Sequence, residues 1–226
     1  MPAEISIVIP ALNAAAGLQK SIPALMEGLR AGLIRELIIS DGGSSDATMQ
    51  LAEEAGAVLI TGPASRGGQL RRGCAAAKGN WLLVLHADTL LEPGWAEAVT
   101  RHLEAGQGRP AYFRLAFDAP GAAPALVAGW ANLRSRLFGL PYGDQGLLIP
   151  RQAYDAAGGY PDQPLMEDVA LARRLRRLTP LAATARTSAA RYRRSGWLRR
   201  GARNLWTLMR YFLGADPAKL AARYRR

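Results

Sequence analysis

Four short apolar runs alternate with helix-like stretches in the first 90 residues: ISIVIP at 5–10, ELIIS at 36–40, VLITG at 58–62 and WLLVL at 81–85. Each run is almost continuously apolar, the pattern of a strand covered on both faces and not of one that turns a face to water. Between them lie AAAGLQKSIPALMEGLRAG, with Pro23 inside it, then SDATMQLAEEAGA, with Ser45 or Asp46 at its start and Gly56 near its stop, then RGGQLRRGCAAAKG. Strands joined by helical crossovers must run largely parallel, with right-handed connections. An α/β fold with a mostly parallel central sheet flanked by helices is therefore expected. After residue 110 the alternation loosens. AYFRLAFDA and GLLIP (146–150) predict further strands, and ALVAGWANLRSRLFG predicts a helix.

Composition removes several classes of function. At 226 residues and 49% hydrophobic content the chain can bury a sizeable core. Cys74 is the one cysteine, so no intrachain disulfide or Cys-rich zinc site forms, and two histidines disfavour a His-based metal cluster. MPAEISIVIPAL lacks the basic flank and long apolar core of a signal peptide, and no run approaches the length of a membrane span, so a cytoplasmic location is expected. The formal charge is +11. Residues 186–226 carry 12 Arg and Lys against the single acid Asp216, whereas residues 1–185 hold 17 of each sign. No linker marks a clean boundary, but by charge the chain divides into a balanced segment, 1–185, and a basic helical segment, 186–226. Such a tail calls for an anionic partner, a membrane surface, a phosphorylated substrate or a nucleic acid.

Acids recur where the strands are expected to end. WLLVL stops at His86-Ala87-Asp88-Thr89, which puts Asp88 on the carboxyl rim where open α/β sheets bind ligands. The competing explanation is a helix cap, since EPGWAEAVTRHL follows with Pro93 in its expected first turn. Asp41 closes the second run and precedes Gly42-Gly43, where it either joins the same rim or organises its own turn. Glu167 and Asp168 open a third feature, a helix in which Val169, Leu171, Leu175 and Leu178 leave a basic face at Arg173, Arg174, Arg176 and Arg177. Acids at a helix N-terminus favour its dipole, which explains one pair and not three acidic spots in one fold.

The order PALN, SDGGSSD, LHAD, GDQG and MEDVALARRLRRL resembles the family 2 glycosyltransferases of the GT-A fold over nearly the whole chain. GWANLRSRLFG, PLMED and TSAARYRRSGW are similar to a bacterial subgroup associated with arsenosugar biosynthesis. The resemblance implies transfer of a sugar from a nucleotide-diphosphate donor, a UDP-sugar, to an acceptor hydroxyl with inversion. It implies that Pro10, Asn13 and Asp41 line the nucleotide pocket, with Gln69 and Arg71 nearby. Asp88 matches the last position of the D-x-D motif, where a carboxylate holds Mg²⁺ or Mn²⁺ on the diphosphate. Asp168 matches the catalytic base, Glu167 its neighbour, and Asp144 and Gln145 are implied near the sugar or acceptor. A diphosphate leaving group needs a hard cation and arginines, and the attacking hydroxyl needs a carboxylate to take its proton. Two departures stand out. His86 occupies the first place of D-x-D, as a ligand of metal or phosphate or as a hydrogen-bonded rim residue, and Gly42 replaces a second acid after Asp41.

A dinucleotide-binding dehydrogenase or a nucleotidyltransferase would place a glycine-rich turn after the first strand, where this chain has PALNAAAG. A binding adaptor with a basic tail explains the charge and not the acids. In the tail, WLRRGARNLWTLMRYFLG (197–214) predicts a helix with Leu198, Leu205, Trp206, Leu208, Met209, Phe212 and Leu213 on one face and Arg199, Arg200, Arg203 and Arg210 on another. That pattern suits an anionic membrane surface, or equally packing on the balanced segment or on a second subunit of a homodimer. Nucleic acid is not expected as a partner.

Overall fold

The computed structural model describes residues 4–175 and 177–224. β1 (Ile5–Ala11), β2 (Ile34–Asp41), β3 (Val58–Thr61) and β4 (Trp81–Val84) are parallel neighbours. They are joined by α1 (Ala15–Arg30), α2 (Thr48–Glu54) and α3 (Arg66–Ala76). The apolar runs are continuous because both faces are covered: Ile5, Ile7 and Ile9 pack on one side with Trp95 and Val99, while Val8 packs on the other with Ile38, Leu70, Cys74 and Leu82.

The second half is mixed. β7 (Leu147–Pro150) pairs antiparallel with β4, and β6 (Ala111–Phe117) antiparallel with β7. β8 (Thr179–Thr187) lies parallel to β6, and the short β5 (Thr89–Leu91) antiparallel to β8. The eight strands form one sheet in the order β3-β2-β1-β4-β7-β6-β8-β5. The helices of this half are α4 (Trp95–Glu104), α5 (Ala122–Phe138), α6 (Arg151–Ala156) and α7 (Glu167–Ala172).

Three local expectations change. Pro93 precedes α4 instead of lying in its first turn, and Gly94, with φ 91°, stands at the cap position. The amides of Gly94 and Ala96 donate to the Glu27 carboxylate, each at 3.0 Å, so α1 supplies the acceptor that the cap lacks. The helix expected through Leu178 ends at Ala172, because the chain must turn into β8, where the Thr179 amide donates to the Pro110 carbonyl at 2.9 Å. Arg173 and Arg174 fall in that turn and Arg177 has φ 55°, while Arg176 lies outside the described residues.

The basic segment folds as α8 (Ala190–Ser195), α9 (Trp197–Phe212) and α10 (Pro217–Tyr224), with Gly196 at φ 80° breaking α8 from α9. Arg186 is still inside β8, paired with both β5 and β6. Ala189, Tyr192 and Trp197 join Leu115, Phe117, Ala128 and Ala131 in one cluster, and Leu208 joins Leu140, Met166 and Val169 in another. Leu208 thus packs inward while the rest of its expected stripe stays exposed. Arg200 leaves the expected basic face: it is buried, donates to the Tyr224 hydroxyl at 2.8 Å, and lies over the Tyr192 and Tyr224 rings at 5.6 and 5.1 Å. No helix among the described residues is long and apolar enough to cross a membrane.

The fully buried Trp95 ring fills the space beside Gly28, where an added Cβ would come within 2.3 Å of it, and the indole donates to the Ala24 carbonyl at 3.0 Å. Gly28→Ala gains up to about 1 kcal/mol of helix propensity. Overpacking of a rigid buried ring costs about 1–3 kcal/mol. A net loss of stability is expected, measured as a lower denaturation midpoint.

Candidate active site

The carboxyl ends of β1, β2 and β4 make one rim. At its β1–β2 end Asn13 adopts φ 49°, a left-handed conformation that Asn tolerates better than most residues. Its amide donates to Ser44 Oγ at 2.8 Å, and its Oδ1 accepts from the Ser45 amide at 2.9 Å. Asp41 is fully buried; Oδ2 accepts from the amides of Gly43 (2.7 Å) and Ser44 (2.8 Å), and Oδ1 accepts from the Ser44 hydroxyl. A carboxylate offers about four acceptor positions, so the turn engages most of Asp41 and leaves one direction open. Asp46 accepts from the Thr48 hydroxyl and amide and from the Ala15 amide; the Thr48 hydroxyl foremost holds its carboxyl below the usual range.

Gln69 lies beneath this rim. Its amide nitrogen donates to the carbonyls of Ala11 (2.6 Å) and Ser40 (3.0 Å), tying the ends of β1 and β2 together in the interior. Both amide hydrogens are thereby engaged. A Cβ at Gly42 would meet that amide at 3.1 Å, which gives a physical reason for glycine at this position. Arg71 points to the exposed side of α3.

The other end of the rim is acidic. Asp88 is exposed, between β4 and β5. The cap explanation fails, because α4 begins only at Trp95 and takes its acceptor from Glu27. The Ala87 carbonyl accepts from Ser21 Oγ at 3.0 Å, which fixes His86-Ala87-Asp88 to α1. The His86 ring abuts Gly143 so closely that a Cβ there would lie 2.2 Å from Nε2. Burial, then the charges of Arg66 and Arg191, push the imidazole well below its ordinary pKa, so it is neutral at physiological pH.

Facing it, the 3₁₀ turn Gly143–Gln145 and the start of α7 bring three acids together. Asp168 is held at both oxygens: Oδ2 accepts from the Gly143 amide and Oδ1 from the Val169 amide, each at 2.7 Å. Glu167 is buried, neither of its oxygens has a hydrogen-bond partner, and Arg66 Nε stands 3.6 Å away. Burial first, then the charge of Asp168, pushes Glu167 up to about 8 against the pull of Arg66. Burial raises Asp144 to about 6, with Asp168 and Asp88 adding to the rise and Arg134 opposing it; its Oδ1 is buried without a partner. Met166, just before this pair, has φ 63°, an uncommon backbone state for a buried methionine and of a kind that gathers at functional sites.

Gln145 is fully buried and engaged throughout. Oε1 accepts from Ser135 Oγ (2.6 Å) and the Tyr142 amide (3.3 Å), and the amide donates to the Phe113 carbonyl (3.3 Å). It therefore supports Asp144 from behind and does not face the cleft.

Arg66 also belongs to this cluster, although none of the sequence motifs marks it. Ser65 caps α3 and donates to Asp162 at 2.6 Å, which clasps the helix mouth to the loop before α7. Burial opposes the charge of Arg66, but Glu167, Asp168 and Asp88 outweigh it and raise its pKa. A serine cap followed at once by an arginine was the available signal.

Residues 6–119, half of the chain, match the family described as Glycosyl transferase family 2. Glucosyl-3-phosphoglycerate synthase from Mycobacterium tuberculosis, solved in complex with Mn²⁺ and uridine-diphosphate-glucose, has a TM-score of 0.55 at 23% identity, with 79% of this chain and 69% of that chain covered. A further mycobacterial protein has a TM-score of 0.56 at 25% identity, covering 82% and 65%. TarS from S. aureus has a TM-score of 0.65 at 12% identity, covering 82% and 36%. At identities this low, the synthase and TarS establish the GT-A fold. Comparison with curated proteins gives no match. With half its length matching the family, and the fold and acid-lined rim just described, the chain belongs to glycosyl transferase family 2 and is a nucleotide-sugar-dependent glycosyltransferase.

Proposed function

We propose that this glycosyltransferase moves a sugar from a UDP-sugar to an acceptor hydroxyl with inversion at the anomeric carbon. The observation that carries the reading is the convergence of Asp88, Asp144, Glu167 and Asp168 with Arg66 at one end of a rim whose other end is the Asn13–Asp41 turn system. The nucleotide occupies the Pro10–Asn13 and Asp41 end, and its diphosphate extends toward Arg66 and Asp88. The M. tuberculosis synthase, seen with Mn²⁺ and uridine-diphosphate-glucose, supports this choice of donor.

The residues fit a divalent ion of one kind only. No group of three or more His, Cys, Asp or Glu able to hold a metal exists among the described residues. Asp88 offers an exposed carboxylate at the rim, and Asp144 nearby keeps a buried oxygen without a partner. Such a set suits Mg²⁺ or Mn²⁺ held by one or two carboxylates, with the substrate phosphates completing the shell. Asp88 would hold the ion, and neutral His86 stands beside it. The ion, when bound, offsets the charge that develops on the leaving diphosphate.

The remaining chemistry belongs to the chain. Arg66, kept charged by its acidic neighbours, faces the same developing charge. Asp168 is the base: two amides fix its carboxylate while leaving lone pairs free on both oxygens. The acceptor oxygen bonds to the anomeric carbon as the bond to the diphosphate breaks, and its proton passes to Asp168. One displacement with one base inverts the centre. Glu167, raised to about 8, carries a proton near neutral pH, so two adjacent full charges are avoided.

Three outcomes test this reading. Asp88→Ala should weaken Mn²⁺-dependent UDP binding by at least about 100-fold, since even outer-shell partners of a metal are worth 10–100-fold. Its unfolding midpoint should stay within about 2 °C of the parent, as expected for an exposed residue; calorimetry reads both, and normal Mn²⁺-dependent binding would remove Asp88 from the donor site. Asp168→Asn should keep donor affinity and lose about 10²–10⁴ in turnover, read by a coupled assay of UDP release; near-normal turnover would reassign the base to Glu167 or Asp144. Glu167→Gln addresses the buried acid. Because the folded pKa of about 8 lies above the ordinary 4.5, Glu167 favours folding below about 4.5, and that contribution is lost as pH rises through about 8. The variant should thus melt higher than the parent at pH 9, by about 2–4 °C for each kcal/mol relieved, with the gap narrowing sharply toward pH 5; a pH-independent difference would sink this assignment.

A further inference from the structure

Two adjoining helices are built inside out. α5 turns its small residues Pro124, Ala128, Ala131 and Ser135 to the interior and presents Leu126, Trp130, Leu133 and Leu137 outward. At about 100° per residue those four form one stripe. α9 buries Arg200, Thr207 and Leu208, with Trp197, Asn204 and Tyr211 half-buried, and turns Leu198, Leu205, Trp206, Met209, Phe212 and its cap residue Leu213 outward. A helix on a globular protein ordinarily does the reverse. The exposures are large: 63% for Leu137, 58% for Trp206 and 82% for Leu213.

The two helices pack against each other, and their C-terminal ends share an open cleft of about 560 Å³ lined by both Phe138 and Phe212. Arginines border this surface. Arg199, Arg203 and Arg210 follow the edge of the α9 stripe, while Arg136, Arg173 and Arg177 line the cleft. Neither helix contains an acidic residue.

We propose that α5 and α9 together form a docking face for the surface of an anionic phospholipid bilayer. Aromatic and aliphatic side chains beside a row of arginines are the composition of an element lying in the headgroup region, where apolar area and cationic charge act jointly. Charge decides against a second copy of this chain as the occupant. A two-fold contact places the same face against itself, and here that would bring arginines onto arginines with no acid on either helix to pair them. A bilayer containing phosphatidylglycerol supplies the missing anions. The proposal goes beyond a tail that binds by itself, because α5 lies outside the basic segment and provides four of these ten outward apolar side chains.

The experiment is sedimentation of the full chain with vesicles of phosphatidylcholine alone and of phosphatidylcholine mixed with phosphatidylglycerol, at low and high salt. Binding to the mixed vesicles at low salt is expected, at least about tenfold weaker on neutral vesicles. Two double variants test the two halves, Trp130→Ser with Leu137→Ser on α5, and Trp206→Ser with Leu213→Ser on α9. Each should lose about tenfold or more in binding with an unchanged unfolding midpoint. Failure of the parent chain to sediment at low salt overturns the proposal, as does parental binding by the α5 variant. A stable dimer in sedimentation velocity without lipid, dissolved by the same substitutions, overturns it too and assigns the face to self-association.

Discussion

The turn that carries Asp144 to the side of Asp168 depends on one buried amide. Gln145 sits where β6, α5 and the turn before β7 meet, and its side chain accepts from Ser135 and the Tyr142 amide while donating to the Phe113 carbonyl. A buried polar group without partners costs about 1–3 kcal/mol, so this turn has one conformation that answers every donor and acceptor. That conformation puts the Gly143 amide on Asp168, the Gly143 α-carbon against His86 and the Asp144 carboxyl into the acidic cluster. Arg134 reinforces it by donating to the Leu140 carbonyl at 3.1 Å and stacking 3.5 Å over the Tyr142 ring. Gln145 thus reaches the acids only through neighbours that it positions.

The acids so assembled repel each other, and the protein meets that repulsion in two ways. Arg66 places a positive charge against Glu167, Asp168 and Asp88. Glu167 and Asp144 respond by holding protons at higher pH than they would in water. Environments that push neighbouring carboxyls apart in pKa separate their roles. In the proposed mechanism Asp168, with two amides on its oxygens, takes the proton, while Glu167 stays buried and protonated beside it.

The parallel half of the fold was legible because burial on both faces leaves its mark on each strand: the runs at 5–10, 36–40 and 81–85 became β1, β2 and β4 within a few residues. β5 and β8 were not legible. β5 is three residues long, and β8 is TPLAATART, whose small and polar residues fit a strand between two partners without an apolar run. Asp41 and Asp88 were legible as rim residues, since strand ends are where such folds gather ligands. What each side chain touches was not. Gln69 and Gln145 look like polar residues free for a substrate, and only the fold shows that backbone carbonyls and hydroxyls engage them. Arg66 and Arg71 differ in sequence only by their place on α3, yet one meets the acids and the other faces outward.

Charge alone divides the chain near residue 185, but physical contacts do not. Arg186 is a strand residue whose guanidinium pairs with Glu92 and donates to the Phe117 carbonyl at 2.7 Å. Tyr192 stacks with Trp197 at 4.8 Å and against Phe117 at 4.9 Å. Its hydroxyl accepts from Asn204, which also accepts from Tyr224, the residue that receives Arg200. Burial, and then the charge of Asp144, raises the Tyr192 phenol to about 12. The first helix of the basic segment therefore feels the acid cluster directly, and Arg191 on it contributes to keeping His86 neutral. A segment whose tyrosine and tryptophan pack on β6 and whose long helix packs on α5 is continuous with the rest of the fold. Its excess charge is divided accordingly, part of it facing inward to tyrosines and acids and part left along the outer edge of α9.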